Sequence, residues 1–288
     1  MTRPRGVPLP WHTKIVAKLV LARLPVPYDL WRRIGLFRHG AMDTATYALD
    51  VWDRHLARVP PPPAGFVALE IGPGDSLLSA ICAAASGASQ VWLVDAGRYA
   101  TTDLTPYLDA ATVLADAGLA APDLAGVDDL DELLARCHAR YVTSGLDGWS
   151  EIPDESVHLS WSQAALEHVR LPEVEPLLRE LHRVHAPGTW TSHRIDLQDH
   201  LDASLHSLRV PARIWESRPF RTSGFYTNRL RRADWLDAFA RAGFDARDDG
   251  GERWPVVPVP PARLVEPYRS MPVAELEVAA VDVVALRP

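Results

Sequence analysis

Short apolar runs alternate with stretches of helical periodicity from residue 66 to about residue 197, and this alternation constrains the fold most. The apolar runs read FVALEI, QVWLVDA, ARYVTS, SVHLSWS and TWTSHRIDL. Helices are predicted between them over 75–87, 103–116, 129–137 and 173–188, with Pro187 and Gly188 closing the last one. Strands that alternate with helices predict a parallel sheet that is covered on both faces.

The chain on either side of this region completes the predicted architecture. RRADWLDAFARAGF is an amphipathic helix and ELEVAAVDVVAL a final strand. The predicted fold is α/β, with a Rossmann-like, doubly wound, mostly parallel seven-stranded sheet. Before it, helices are predicted over 11–24, 28–37 and 43–58, with Asp43 as the cap of the third, and VPPPPAG follows as a stiff connector.

Two domains follow from this organisation. Residues 1–62 are expected to form a helical N-terminal cap, and residues 63–288 the sheet domain. Residues 198–230 are rich in polar, aromatic and basic side chains and fit no simple period, so they are expected to form a substrate-facing insertion. The N-terminal helices would either cover the cleft or form a homodimer contact.

Charge and cysteine content limit the function. The formal net charge of the 288 residues is -7, which argues against a nucleic-acid binder. Cys82 and Cys137 lie far apart and have no metal-ligand spacing, which favours a reducing, cytoplasmic location. Lys18 and Arg23 interrupt the apolar stretch 15–24, so neither a signal peptide nor stable membrane insertion is expected. The preference for arginine over lysine suggests a bacterial source.

The turn after the first strand, GPGDS, indicates a cofactor. Gly72 and Gly74 are present, but Leu77 stands at the third glycine position of a dinucleotide-binding turn. A sulfonium cofactor carries no phosphate, and Glu70 before the turn suits a cationic amino-acid ligand. Asp95 ends the second strand and can accept hydrogen bonds from ribose hydroxyls, a feature that fits NAD and S-adenosylmethionine alike.

Four segments in order carry a family resemblance: LEIGPGDS, LVDA, IPDESVHLSWSQAALEHV and LLRELHRVHAPG. Together they resemble the signature segments of class I S-adenosylmethionine-dependent methyltransferases, over roughly residues 66–200. SHRIDLQDH and SGFYTNR are similar to a bacterial subgroup of that family. The resemblance implies S-adenosyl-L-methionine as cofactor and methyl transfer to a small-molecule, glycan or natural-product acceptor, at an oxygen atom.

The resemblance also implies roles for individual residues. The methionine end of the cofactor would be lined by Glu70, Gly72 and Gly74. Asp95 would hold the ribose with Ala96 beside it, and Gly145 and Leu146 would lie near the adenine. The residues expected to face the reaction zone are Ser160, Ser162 and Gln163. This chain departs from the usual family pattern at Ser76, which replaces a glycine, and at Pro73 between the two glycines.

A histidine is the expected general base if the acceptor is a hydroxyl, because its ordinary pKa is near neutrality. The candidates are His193 and His200 in SHRIDLQDH. On a strand over 189–197, His193 would share one face with Ile195, and Arg194 and Asp196 the other. The alternative is an ion-paired loop, in which Arg194 or a histidine bridges to an aspartate.

Substrate contacts are expected from six side chains with suitable donors, acceptors or rings: His168, Arg194, Asp196, Tyr226, Asn228 and Arg229. Core packing is the alternative explanation for Tyr226. No metal is expected, because Ala164 occupies the first acidic position of the E-x-x-E-H arrangement that ends at Glu167 and His168. Two other functions stay open: an NAD-dependent oxidoreductase, and a non-catalytic cofactor-binding module.

Overall fold

The computed structural model describes residues 11–13, 15 and 44–288, and its centre is a seven-stranded sheet. The strands are β1 (Val67–Ile71), β2 (Gln90–Val94), β3 (Ala139–Val142), β4 (Val157–Gln163), β5 (His185–Asp196), β6 (Asp245–Arg253) and β7 (Val278–Leu286). Their order across the sheet is β3-β2-β1-β4-β5-β7-β6, and β7 runs antiparallel to both of its neighbours. The predicted fold class is therefore confirmed.

Helices cover both faces of the sheet. The longer ones are α1 (Ala45–Leu56), α2 (Leu78–Ala85), α3 (Thr105–Asp116), α4 (Leu130–Arg136), α5 (Leu171–Val184) and α8 (Arg232–Arg241). Four-residue helices are α6 (Ala212–Trp215), α7 (Arg218–Arg221) and α9 (Val273–Leu276). Short 3-10 helices span Gly145–Glu151, Leu166–His168, His206–Arg209, Pro261–Arg263 and Tyr268–Ser270. Among the described residues, no helix has the length and apolar character needed to span a bilayer.

Two apolar clusters separate the faces of the sheet. One joins α1, α2, α3 and α4 to the sheet, and the other joins α5 and α8 to the opposite face. Helix α5 shows why these segments are helical, because its buried residues recur at the helical spacing: Val174, Leu177, Leu178, Leu181 and Val184. Burial of such stripes is the main force that holds the layers together.

Helix α1 packs on the same sheet as the rest of the domain. Trp52 meets Trp161 of β4 edge to face, with ring centroids 4.9 Å apart. His55 Nδ1 lies 2.8 Å from Ser192 Oγ of β5, both being buried. The N-cap of α1 is Thr44, and the predicted cap Asp43 and helices over 16–43 lie outside the described residues.

The insertion over 198–230 has its own small core. Its buried side chains include Leu201, Trp215, Phe225 and Tyr226, and Ile15 from the N-terminal segment packs among them. Trp11 from the same segment stacks on His206, with ring centroids 5.5 Å apart. Two segments that are almost two hundred residues apart in sequence thus share one apolar cluster.

Two details of the sheet differ from the sequence expectation. The helix expected to end at Pro187 and Gly188 ends at Val184, and those two residues lie in an irregular part of β5, where its register with β4 shifts. The residues of strand β6, DARDDGGER, show no alternation of apolar and polar side chains, so the sequence did not predict where this strand lies. It is an exposed edge strand, and apolar alternation is absent from a strand that buries neither face.

One ion-pair group links the residue Arg58, which follows α1, to strands β5 and β7 of the sheet. Asp282, in the apolar strand β7, lies 2.6 Å from Arg58 and 3.5 Å from Arg194. Its side chain is 3% exposed, so its charge depends on these two partners.

We expect Asp282→Asn to lower the free energy of unfolding by about 3 kcal/mol, because it leaves two arginines without their buried partner. The matched control is Glu175→Gln, which removes an exposed pair with Arg179 and should cost less than about 0.5 kcal/mol. Urea unfolding followed by circular dichroism measures both. Equal losses in the two variants would contradict the importance of this ion-pair group.

Candidate cofactor and acceptor site

The two glycines after β1 have left-handed backbones but different surroundings. The φ angles of Gly72 and Gly74 are 72° and 67°. A Cβ atom at Gly72 would lie 2.5 Å from the Cβ of Ala165, in the loop after β4. At Gly74 a Cβ would meet no described atom within 4 Å. Gly72 is therefore required for packing, whereas Gly74 leaves space for a ligand to approach the backbone.

Asp95 joins three of the segments that the sequence assigns to the cofactor. Its Oδ2 accepts a hydrogen bond from Gly74 N at 3.0 Å, and its Oδ1 accepts one from Ala96 N at 2.7 Å. Its backbone carbonyl accepts one from Gly145 N at 3.0 Å. Burial raises the pKa of Asp95 to about 6. Each carboxylate oxygen has a second acceptor site, which remains suitable for a ribose hydroxyl.

Glu70 lies at the buried end of the glycine turn. Its side chain accepts a hydrogen bond from the Ser79 hydroxyl, and burial raises its pKa to about 7. A cavity of about 30 Å³, enough for one or two water molecules, lies beside it. Trp161, Gln163 and Tyr47 of α1 are among the residues that line this cavity. The turn thus combines a buried carboxylate with room for a polar group.

Side chains of β4 divide between the two faces of the sheet. Trp161 and Gln163 line the cavity, and the role expected for Gln163 stays a prediction. Ser160 and Ser162 point to the opposite face: Ser160 Oγ lies 2.7 Å from His185 Nε2, and Ser162 Oγ lies 2.8 Å from His193 Nδ1. The expectation that these two serines face the reaction zone is corrected, since strand residues alternate between faces.

His193 is a buried structural residue, and its expected role as general base is corrected. Its Nδ1 contacts Ser162 Oγ, and its Nε2 lies 2.5 Å from Thr191 Oγ1. Its ring packs at 5.2 Å from Phe239 of α8. Burial lowers the pKa of His193 to about 3, so the imidazole is neutral at physiological pH. Both nitrogens are engaged inside the sheet, away from the cavity face.

His200, the other candidate base, lies beside His168 and Glu167. One nitrogen of each ring and one oxygen of Glu167 all lie within 4.8 Å of one another. The two rings stack, with centroids 4.8 Å apart. Burial raises the pKa of Glu167 well above its usual range. This cluster follows the carboxyl end of β4, where Ala165 touches Gly72.

Tyr226 and Asn228 hold the backbone of this cluster. Asn228 N donates to the carbonyl of Glu167 at 2.7 Å, and its Nδ2 donates to those of Leu166 and Val169 at 2.9 and 3.1 Å. The carbonyl of Tyr226 accepts from His168 Nδ1 at 2.9 Å. Both residues position the turn after β4, Asn228 through its side chain and backbone and Tyr226 through its carbonyl, and their expected substrate contact stays a prediction.

The two arginines expected to bind substrate are engaged elsewhere. Arg229 is buried and donates to the carbonyls of Ser207 and Val210 at 3.2 and 2.7 Å. Arg194 pairs with Glu252 at 2.6 Å as well as with Asp282, and lies 4.0 Å from Asp196. The ion-paired alternative thus describes Arg194 and Asp196 better than substrate contact does.

Comparison with known proteins agrees with the fold and the glycine turn. Residues 69–192 match the family model described as a methyltransferase domain. No curated protein matches the sequence significantly.

Several solved structures are similar to this chain. A methyltransferase in complex with the Haloferax volcanii Trm112 activator shares 14% identity over 85% of this chain and 94% of its own, with a TM-score of 0.46. A Mesorhizobium loti S-adenosylmethionine-dependent methyltransferase shares 18% sequence identity over 82% of this chain and 99% of its own, with a TM-score of 0.44. Haemonchus contortus phosphoethanolamine N-methyltransferase 2, in complex with S-adenosyl-L-methionine, shares 13% sequence identity over 82% of this chain and 53% of its own, with a TM-score of 0.45. Likeness at this level says nothing about the acceptor of this chain.

The strand order, with its antiparallel β7, agrees with the match to the family model. Residues 69–192 carry a methyltransferase domain, and S-adenosyl-L-methionine is the cofactor of this domain. The space at Gly74, the acceptor sites of Asp95 and the buried Glu70 fit such a cofactor.

Alanine at the two glycines should separate packing from ligand binding. Gly72→Ala adds both backbone strain and a clash with Ala165, so it should lower the free energy of unfolding by about 2–5 kcal/mol. Gly74→Ala adds the strain alone, about 1–2 kcal/mol, but places a methyl group in the space left for a ligand.

Thermal unfolding and calorimetric titration with S-adenosylmethionine measure these effects. We expect folded Gly74→Ala to bind the cofactor more weakly by about 1–3 kcal/mol. A Gly74→Ala variant that binds as well as the wild type would show that the ligand does not approach this glycine.

Proposed function

We propose that this chain transfers a methyl group from S-adenosylmethionine to an oxygen atom of a small-molecule, glycan or natural-product acceptor. The observation that carries the cofactor half is the Asp95 carboxylate, which binds the backbone of the glycine turn while its remaining acceptor sites suit a ribose. We further propose a cytoplasmic bacterial protein that binds no nucleic acid, with a helical cap over 1–62, an acceptor-facing insertion over 198–230 and a homodimer as its oligomeric state.

The proposed cofactor site combines the glycine turn after β1 with the loops that follow β2 and β3. Glu70 would receive the ammonium group of the cofactor, and Asp95 the ribose hydroxyls. Ala96, Gly145 and Leu146 would lie along the adenine, because Gly145 is hydrogen-bonded to Asp95 and its Cβ position lies 3.9 Å from the Cα of Ala96. Gln163 would point toward the methionine end from β4.

When bound, the cofactor supplies a methyl group that is already activated for transfer. The chain therefore has to orient an acceptor and exclude water. The aromatic side chains Trp52 and Trp161 form an apolar wall beside Glu70. A hydroxyl acceptor must also lose its proton. With His193 buried in the sheet, His200 is the remaining sequence-predicted base, in the cluster with His168 and Glu167.

The oxidoreductase alternative is less well supported. A dinucleotide-binding sheet has the order 3-2-1-4-5-6, whereas this sheet inserts an antiparallel β7 between β5 and β6. Leu77, at the third glycine position, is fully buried. Titration with S-adenosylmethionine, S-adenosylhomocysteine and NAD distinguishes the candidates. Binding of the first two with NAD silent supports the proposal, binding of NAD overturns it, and a folded protein that binds the first two without turnover is the non-catalytic module.

Asp95→Ala should weaken S-adenosylmethionine binding by about 1–3 kcal/mol, because a charge-assisted ribose contact is lost. Calorimetric titration gives the dissociation constant, and circular dichroism checks the fold. Asp147→Ala, on the exposed 3-10 turn that follows β3, is the control and should bind like the wild type. Unchanged affinity of folded Asp95→Ala would remove Asp95 from the ribose site.

Cofactor affinity should fall as the pH is lowered from 7 to 5. In the ligand-free protein Glu70 has a pKa of about 7 and Asp95 one of about 6. The ammonium group of the cofactor favours the ionised form of Glu70, and the ribose hydroxyls favour that of Asp95, so binding lowers both pKa values. A carboxyl group that is protonated at the working pH must lose its proton when the cofactor binds. Each group can contribute up to about tenfold per pH unit below its own ligand-free pKa.

Titrations at pH 7, 6 and 5 test this linkage. Glu70→Gln should bind more weakly at pH 7 and show a shallower dependence between pH 7 and 6, whereas Glu175→Gln, on the exposed face of α5, should follow the wild type. A dissociation constant that stays constant from pH 7 to 5 in folded protein would contradict both carboxylate contacts.

A further inference from the structure

The carboxylate of Glu167 has an unusual environment. Its side chain is 1% exposed, and neither of its oxygens has a hydrogen-bond partner of good geometry among the described residues, although the backbone N–H groups of Glu167 and Asp196 lie nearby. Nearly all buried polar atoms in proteins are paired, because an unpaired one costs about 1–3 kcal/mol or more. Asp196 adds a repulsive negative charge nearby, which the positive charge of Arg194 offsets only in part. Both features would be relieved by a cation bound to this carboxylate.

His168 presents the correct tautomer for a metal ligand. Its Nδ1 lies 2.9 Å from the carbonyl oxygen of Tyr226, and a carbonyl can only accept. Nδ1 therefore carries the hydrogen in the neutral ring, and Nε2 carries the lone pair. A ligating histidine usually has this arrangement, with the other ring nitrogen donating to a carbonyl or carboxylate.

The backbone on each side of the cluster is fixed by a buried side chain. Asn228 binds the turn that carries Glu167 and His168, as described above. Asp199, which is also buried, accepts hydrogen bonds from the backbone of Leu201 and Asp202 at 3.0 and 3.1 Å and from that of Ser207 at 3.2 Å. It thus holds the turn in which His200 lies. Fixed positions of this kind lower the cost of assembling a ligand set.

We propose that Glu167, His168 and His200 bind a divalent transition-metal ion of the zinc class. Two imidazole nitrogens and one carboxylate oxygen are the protein ligands of one type of catalytic zinc site, which keeps a further position open. They suit magnesium poorly, because that ion prefers an octahedron of oxygens. Ligand atoms around tetrahedral zinc are about 3.4 Å apart, so atoms within 4.8 Å of one another need only small side-chain movements to close.

This proposal replaces the sequence expectation that no metal binds. That expectation considered only the segment ending at Glu167 and His168, in which Ala164 takes the place of an acid. The third ligand, His200, comes from the chain after β5 and is brought there by the fold. The role of the ion in the reaction rests on the proposed function: its open position would take the acceptor oxygen and lower the pKa of that hydroxyl, and His200 would then be a ligand instead of the base.

Titration of the metal-stripped, tag-free full chain with Zn²⁺ tests the site. We expect one ion per chain with micromolar or tighter affinity, and a rise in the unfolding temperature on binding. Glu167→Gln, His168→Gln and His200→Gln should each weaken the affinity by at least about tenfold. His182→Gln, on α5 and beside Phe244, is the matched control and should bind like the wild type. Co²⁺ in place of Zn²⁺ reports the same ligands by its visible absorption.

The outcomes are separable from those of the proposed function. A loss of at least about tenfold in Zn²⁺ affinity in all three ligand variants, with wild-type affinity in His182→Gln, supports the site. Absence of saturable binding by the wild type, or a loss smaller than about tenfold in any of the three variants, overturns it. If a ligand variant does not fold, the cobalt spectrum of the wild type decides, because a spectrum without histidine nitrogen ligation overturns the site. Failure of S-adenosylmethionine to bind the zinc-loaded protein would overturn the proposed function and leave the metal site standing.

Discussion

The hydrogen bonds that Asp95 accepts, two at its carboxylate and one at its backbone carbonyl, hold together the edge of the sheet at which a cofactor is expected. Gly74 follows β1, Ala96 follows β2, and Gly145 follows β3, and all three are bound to Asp95 through their backbone N–H groups. Because β1, β2 and β3 are parallel neighbours, their carboxyl ends meet at this one residue. Burial removes water from this carboxylate and so disfavours its charged form, which raises its pKa. Contacts of this kind preorganise the loops before any ligand arrives.

The sequence predicted the strand and helix alternation well, because periodicity is a local property. The family resemblance implied cofactor roles for Glu70, Gly72, Gly74, Asp95 and Gly145, and the structure has these residues at or after the carboxyl ends of β1, β2 and β3. The sequence did not specify β6, whose residues are exposed on both faces. The start of β5 was misplaced because Pro187 and Gly188 resemble a helix end, whereas here they lie where the register shifts.

The acceptor side was harder to predict because its residues depend on long-range contacts. Tyr226, Asn228 and Arg229 have the side chains of a binding site. The side chains of Asn228 and Arg229 donate to backbone carbonyls, however, and the Tyr226 hydroxyl donates to Glu216, and no local pattern reveals these partners. Side chains alternate between the two faces of β4, so Ser160 and Ser162 share one face and Gln163 lies on the other. Apposition of Ser162 with His193 required the β4–β5 register, which only the structure supplies. The same is true of the contact between His200 and His168.

The shared cluster of the N-terminal segment and the 198–230 insertion has a consequence for how this protein changes over time. Ile15 packs among Leu201, Trp215 and Tyr226, and Trp11 stacks on His206, so the two segments form one packing unit. Exchange of either segment alone with that of a relative would leave apolar surface without its complement. Natural or engineered changes in the packing of the insertion should therefore arise as paired substitutions, one in the segment that carries Trp11 and Ile15 and one beyond residue 198.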